Sequence, residues 1–73
     1  MAQEIIEVPL SGKITAVNVK QGDEVNEGDV LCTLEAMKMQ NPILAPVAGT
    51  ITEINVSVGE TVETGGTIAI IEY

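Results

Sequence analysis

The chain has 73 residues, room for one domain, and a formal net charge of −8, which repels nucleic-acid phosphates and anionic membrane surfaces. One cysteine and no histidine exclude an internal disulfide and the usual zinc ligand sets. Aliphatic packing must therefore hold a fold that buries only about 60% of its unfolded surface. No apolar run approaches the roughly 20 residues of a bilayer span, and the opening Met-Ala-Gln-Glu lacks the basic and apolar regions of a signal peptide, so a soluble cytoplasmic protein is expected.

Hydrophobic residues make up 45% of the chain, dominated by Val and Ile, with Tyr73 the one aromatic. β-branched side chains suit a pleated surface and disfavour helices. In chain order, Pro9 and Gly12 precede an apolar stretch at 14–19 in which Val17, Asn18 and Val19 alternate. Gly22 and Gly28 then interrupt the pattern, and every such glycine is expected at a turn or bulge. In the next stretch Val30, Cys32 and Leu34 alternate with Leu31, Thr33 and Glu35. The first set is predicted to face inward, with Cys32 a reduced, small apolar residue that no histidine activates. A turn at 37–41 leads into a strand from about Gln40 to Ala45. Pro46, Gly49, an apolar stretch at 51–56, Gly59 and Gly65 then repeat the earlier punctuation. No stretch supports a helix longer than about two turns.

That repetition is exact in spacing. Shifted by 37 positions, Pro9 falls on Pro46, Gly12 on Gly49, Ile14 on Ile51, Asn18 on Asn55, Gly22 on Gly59, Val25 on Val62, Gly28 on Gly65 and Glu35 on Glu72. Two half-repeats, 8–36 and 45–73, are joined by the hairpin 37–41. Each half alone would leave its apolar face wet. The expected fold is all-β: a flattened eight-stranded barrel or sandwich of two four-strand halves related by a pseudo-two-fold axis. Under that symmetry Lys38 falls on Met1, so the junction and the chain termini belong at opposite ends.

The junction is where chemistry is expected. Lys38 is one of three basic residues, with Lys13 and Lys20, and a hairpin tip leaves its side chain free to enter another protein's active site. Met37 and Met39 flank it where a turn favours Asn, Gly or Asp, and their adaptable thioethers suit a recognition surface. Elsewhere there is no nucleophile–base pair, metal cluster or phosphate loop, so no catalytic and no metal-ligating residue is assigned; Gly65-Gly66 lacks the rest of any nucleotide motif.

The segment Glu35-Ala36-Met37-Lys38-Met39 resembles the attachment motif of the biotinyl domains of biotin-dependent carboxylases, decarboxylases and transcarboxylases. Pro46-Val47-Ala48-Gly49 and the Gly-Asp-x-Val-x-x-Gly-Asp-x-Leu pattern from Gly22 to Leu31 fit the same family, and the likeness runs from about Val8 to Glu72. The resemblance implies a barrel-sandwich hybrid of the biotinyl/lipoyl type that acts as a non-catalytic swinging-arm carrier. It implies covalent biotin on Lys38, with Met37, Met39, Ala36 and Glu35 recognised by a biotin protein ligase. The implied partners are that ligase, a biotin carboxylase, and a carboxyltransferase or decarboxylase, with no nucleic acid and no direct membrane insertion. A lysine amine is ordinarily protonated at neutral pH, and nothing here offers a base, so the ligase would supply activation. Two other readings stand beside this one: a lipoyl carrier, which would ordinarily show Asp and Ala beside the lysine, and an unmodified barrel-sandwich interaction module in which Lys38 has no special status. Glu35, matched by Glu72, also has a structural reading, and Ala36 is small enough to be there simply because it fits.

Overall fold

A computed structural model describes residues 2–73. They form eight strands, β1 (Gln3–Glu7), β2 (Gly12–Val17), β3 (Glu24–Val25), β4 (Val30–Ala36), β5 (Met39–Leu44), β6 (Gly49–Ile54), β7 (Thr61–Val62) and β8 (Thr67–Glu72). Two four-stranded antiparallel sheets result, sheet one in the order β1-β8-β6-β3 and sheet two in the order β5-β4-β2-β7. The all-β sandwich expected from the repeat is the fold.

The 37-residue shift turns one sheet into the other: β5 lands on β1, β8 on β4, β6 on β2, and β7 on β3. The halves are interlocked as well as stacked. Two-residue β3, from the first half-repeat, pairs with β6, and its twin β7 pairs with β2. Each half thus lends a short strand to the other's sheet. Even the irregularities repeat, with a register shift between Ile14 and Ala16 in β2 and its twin between Ile51 and Glu53 in β6.

The core follows the same symmetry. Ile14, Ile51, Leu31, Ile68, Leu34, Ile71 and Cys32 are fully buried, and the first six are three twin pairs. Removing such a side chain from water contributes about 1.5–3 kcal/mol, so this set is the main stabilising mass of a domain without staples.

Two expectations need correction. Strict alternation puts Val30 inward and Leu31 outward, yet Leu31 is fully buried and Val30 is 38% exposed. A bulge between Val30 and Cys32, against Leu44 and Ile43 of β5, breaks the alternation there. One extra residue in a strand reverses the facing of everything before it. Nor do all the repeated glycines sit in turns. Gly22, Gly28, Gly59 and Gly65 do, at φ of 89–95°, but Gly12 and Gly49 lie within strands β2 and β6. A Cβ at Gly12 would collide with the Glu35 carbonyl oxygen, and one at Gly49 with that of Glu72.

The molecule is 36 Å long and 17–18 Å across. Residues 8–11 connect the end of β1 to Gly12, which lies beside Glu35 near the lysine turn. Residues 45–48 connect the far end of β5 to Gly49, which lies beside Glu72 next to the termini. The lysine turn and the termini therefore cap opposite ends. Met1, the symmetry counterpart of Lys38, lies outside the described residues. Its neighbour Ala2 exchanges backbone hydrogen bonds with Tyr73, the Ala2 N–H donating at 2.8 Å and the Tyr73 N–H at 2.9 Å. This is the twin of the Ala36–Met39 pair that closes the hairpin.

Candidate functional site

Antiparallel strands β4 and β5 meet at Ala36 and Met39, leaving only Met37 and Lys38 to reverse the chain. A two-residue hairpin loop matches strand twist when both residues adopt positive φ, which is why Asn-Gly dominates such turns. Met37 has φ 53° and Lys38 φ 63°. Each L-residue with a Cβ costs about 1–2 kcal/mol in this region. They are the only non-glycine residues with positive φ among those described, so the strain of the backbone is concentrated on the turn that bears the lysine. Strain of this kind persists where the surrounding structure enforces it, and here the β4–β5 ladder does so.

The turn projects its side chains into solvent. Lys38 is exposed, Met37 is 85% exposed and Met39 65%. Thioethers this accessible are not held there by the core. Ala36 differs. It is buried to 5%, and its methyl group seats the end of β4.

Glu35 is exposed and belongs to a hydrogen-bonded chain on the outer face of sheet two. The Thr15 hydroxyl donates to the Gln40 Oε1 at 2.9 Å, and the Gln40 Nε2 donates to the Glu35 carboxylate at 3.1 Å. The chain ties β2, β4 and β5 together just below the turn. Nothing in the sequence marks Thr15 or Gln40 beyond their place in the repeat, where their twins are Thr52 and Gln3. Asn41 adds a brace, its Nδ2 donating to the Met39 carbonyl at 3.2 Å.

The remaining chemistry-bearing groups lie elsewhere. Cys32 is fully buried in β4, and burial raises its thiol above the ordinary value of 9.0, which keeps it protonated and unreactive. Among the described residues no three His, Cys, Asp or Glu side chains converge on a metal position, and no helix is long and apolar enough to cross a membrane. A surface groove of about 480 Å³ runs along β7 between Val8 and Glu63 and does not include the lysine turn. What the site offers is one exposed amine on a braced, strained tip.

A family model described as "Biotin-requiring enzyme" matches residues 4–71. The chain is 62% identical over 39 residues to the glutaconyl-CoA decarboxylase gamma subunit of Acidaminococcus fermentans, a match covering 53% of this chain and 27% of that one. It is 49% identical over 41 residues to the mitochondrial propionyl-CoA carboxylase alpha chain of Homo sapiens, covering 56% of this chain and 6% of that one. Among solved structures, the urea carboxylase of Kluyveromyces lactis superposes with a TM-score of 0.89 at 28% identity, covering 99% of this chain and 6% of that one. The matched region thus spans about a quarter or less of these longer proteins.

Proposed function

We propose that Lys38 is the attachment point of biotin in this chain, which belongs to the family of biotin-requiring enzymes and is a biotin carrier domain. The observation that carries this reading is the two-residue turn, with Lys38 and Met37 held at positive φ at the end of the molecule opposite the termini. The residues present fit the cofactor: an exposed amine can form an amide with the biotin carboxyl group, and no wall of the domain crowds it.

The domain's own part is to hold and present. The β4–β5 ladder and the Thr15–Gln40–Glu35 chain fix the direction in which the lysine leaves the tip. The termini at the far end leave that tip free to turn between active sites. Biotin supplies the group that accepts and releases a carboxyl. Tethering it raises its effective concentration at each site without diffusion. In this reading the domain is a carrier and the partner active sites supply the catalysis. A biotin protein ligase activates the biotin carboxyl and reads Met37 and Met39, with Glu35 acting through the geometry of the tip. The partners are a biotin carboxylase and a carboxyltransferase or decarboxylase. Because the decarboxylase and carboxylase above are both named for coenzyme A thioesters, we further propose that the parent enzyme acts on an acyl-CoA.

The test is co-expression with a biotin ligase, read by intact mass and streptavidin binding. Wild type gains one biotinyl group and Lys38→Arg gains none, with the same thermal transition. Label on the arginine variant, or an unmodified wild type, overturns the assignment. A lipoate ligase run in parallel should leave the chain unlabelled, because Met stands on both sides of Lys38.

A further inference from the structure

Sheets one and two each end in a long edge strand, β1 and β5, and the repeat makes these strands twins. In an antiparallel ladder, alternate residues bond the neighbouring strand and the others turn their N–H and C=O outward. Ala2 and Tyr73 form a reciprocally bonded pair. Counting along the register Glu4↔Ile71, Ile5↔Ile70 and Ile6↔Ala69, Glu4 and Ile6 bond β8. The backbone groups of Gln3 and Ile5 therefore face away from the sheet. On β5 the corresponding outward residues are Gln40 and Pro42. Pro42, paired with Thr33, has no N–H, so this edge cannot complete a ladder with another strand. Its twin 37 positions earlier is Ile5, which keeps the outward donor. The same fold position is blocked beside the lysine and open on the other sheet.

The open edge also carries a recognisable surface. Ile5 is 53% exposed, and Gln3 and Glu7 on the same face are exposed as well. Glu4, Ile5, Ile6 and Glu7 give the order acidic–apolar–apolar–acidic. β1 is hydrogen-bonded to β8 alone, as the outermost strand of its sheet. A second copy is disfavoured as occupant, since each copy brings a net charge of −8.

We propose that the edge of β1 receives an extended segment of a partner polypeptide with the order basic–apolar–apolar–basic, added antiparallel as a fifth strand of sheet one. Main-chain bonds from Gln3 and Ile5 supply the affinity, and pairing of Lys or Arg with Glu4 and Glu7 sets the register. The carrier is then held by one sheet edge while the lysine tip, on the other sheet, stays unpaired and free to move.

The probe is the blocked peptide Thr-Lys-Val-Val-Lys-Thr, titrated into the full-length ¹⁵N-labelled chain at low and high salt. Shifts confined to the amides of β1 and its neighbour β8, weakening as salt rises and absent with Thr-Glu-Val-Val-Glu-Thr, are expected. Ile5→Pro copies the proline that the twin position already accommodates, so the variant should fold, take biotin at Lys38 as wild type does, and lose the shifts. Shifts centred on β5, equal shifts with the acidic peptide, or shifts that survive in Ile5→Pro overturn the proposal. So does concentration-dependent self-association through β1 in place of peptide binding. Should Ile5→Pro unfold, Glu4→Lys with Glu7→Lys replaces it and must exchange the preference from the basic to the acidic peptide; an unchanged preference overturns the proposal. Biotinylation is read separately in each sample, so failure of the Lys38 assignment would not be mistaken for failure of the edge.

Discussion

At the lysine end of the molecule Ala36 pairs with Met39; at the other end the twin residues Tyr73 and Ala2 make the same pair. Below each pair lie a glutamate and a glutamine at matching positions, Glu35 with Gln40 and Glu72 with Gln3. Each also has a glycine pressed against a glutamate carbonyl, Gly12 with Glu35 and Gly49 with Glu72. In backbone pairing and glycine packing the ends match, although the Thr15–Gln40–Glu35 hydrogen bonds belong to the lysine end, while Thr52 at the other end donates to the Ile70 carbonyl. The ends part company at the two residues between Ala36 and Met39, which reverse the chain in a strained conformation. The internal repeat thus acts as a control: what both ends share serves the fold, and what one end alone possesses is where a task is to be sought. By that standard the close-packed glycines are framework, whereas the strained two-residue turn of Met37 and Lys38 is peculiar to one end.

Substitutions at twin positions can break this comparison. The largest effect should come from Gly12→Ala and Gly49→Ala, whose new Cβ atoms would meet backbone oxygens that cannot swing aside. Each should cost about 3 kcal/mol, measured by urea denaturation. A marked difference between the two would show that the ends are not equivalent frameworks.

Met37→Asp combined with Met39→Ala should leave the denaturation midpoint close to wild type, because both side chains are exposed. It should lower the biotinylation rate by about tenfold, or 1.4 kcal/mol of recognition. An unchanged rate would remove the methionines from the recognition surface.

Met37→Gly should raise stability by about 1 kcal/mol by relieving positive φ. The gain is to be read in the denaturant midpoint, and biotinylation in the same sample shows whether the stiff turn matters to the ligase. No twin substitution at the other end can reproduce the gain.

An effect of similar size concerns Cys32, whose twin is Ala69. Its folded thiol titrates above the ordinary value of 9.0 because burial opposes the thiolate. The folded state therefore holds its proton where the unfolded chain has released it. The thiol's contribution is fully present below about pH 9 and is lost as pH rises beyond that. Cys32→Ala should cost about 1 kcal/mol at neutral pH and flatten stability above pH 9. Equal alkaline loss in both proteins would place its origin elsewhere.

Much of this was legible without coordinates. The 37-residue spacing gave the two-fold, the strand-rich composition gave the class, and the lysine's place at the junction put it opposite the termini. Three features were not legible. The facing of Val30 and Leu31 departs from strict alternation because one bulge residue reverses it, and a bulge leaves no mark in an apolar run. Gly12 and Gly49 looked like turn residues because composition does not distinguish a glycine needed for positive φ from one needed for close approach. The significance of Pro42 depends on ladder phase, whether its missing N–H would have pointed inward or out, and phase exists only once strands have paired.

By itself the sequence determined the pairing of like with like: matched apolar residues at matched spacing can close only as a symmetric core, because neither half can bury its face alone. It also determined which residue types stand at the junction. The tertiary structure decided that the halves exchange short strands and that Met37 and Lys38 take positive φ. It also decided that one sheet edge is sealed while its twin is open. Those outcomes depend on register and on backbone contacts between distant segments, and such contacts are set by the assembled ladder rather than by any local pattern of side chains.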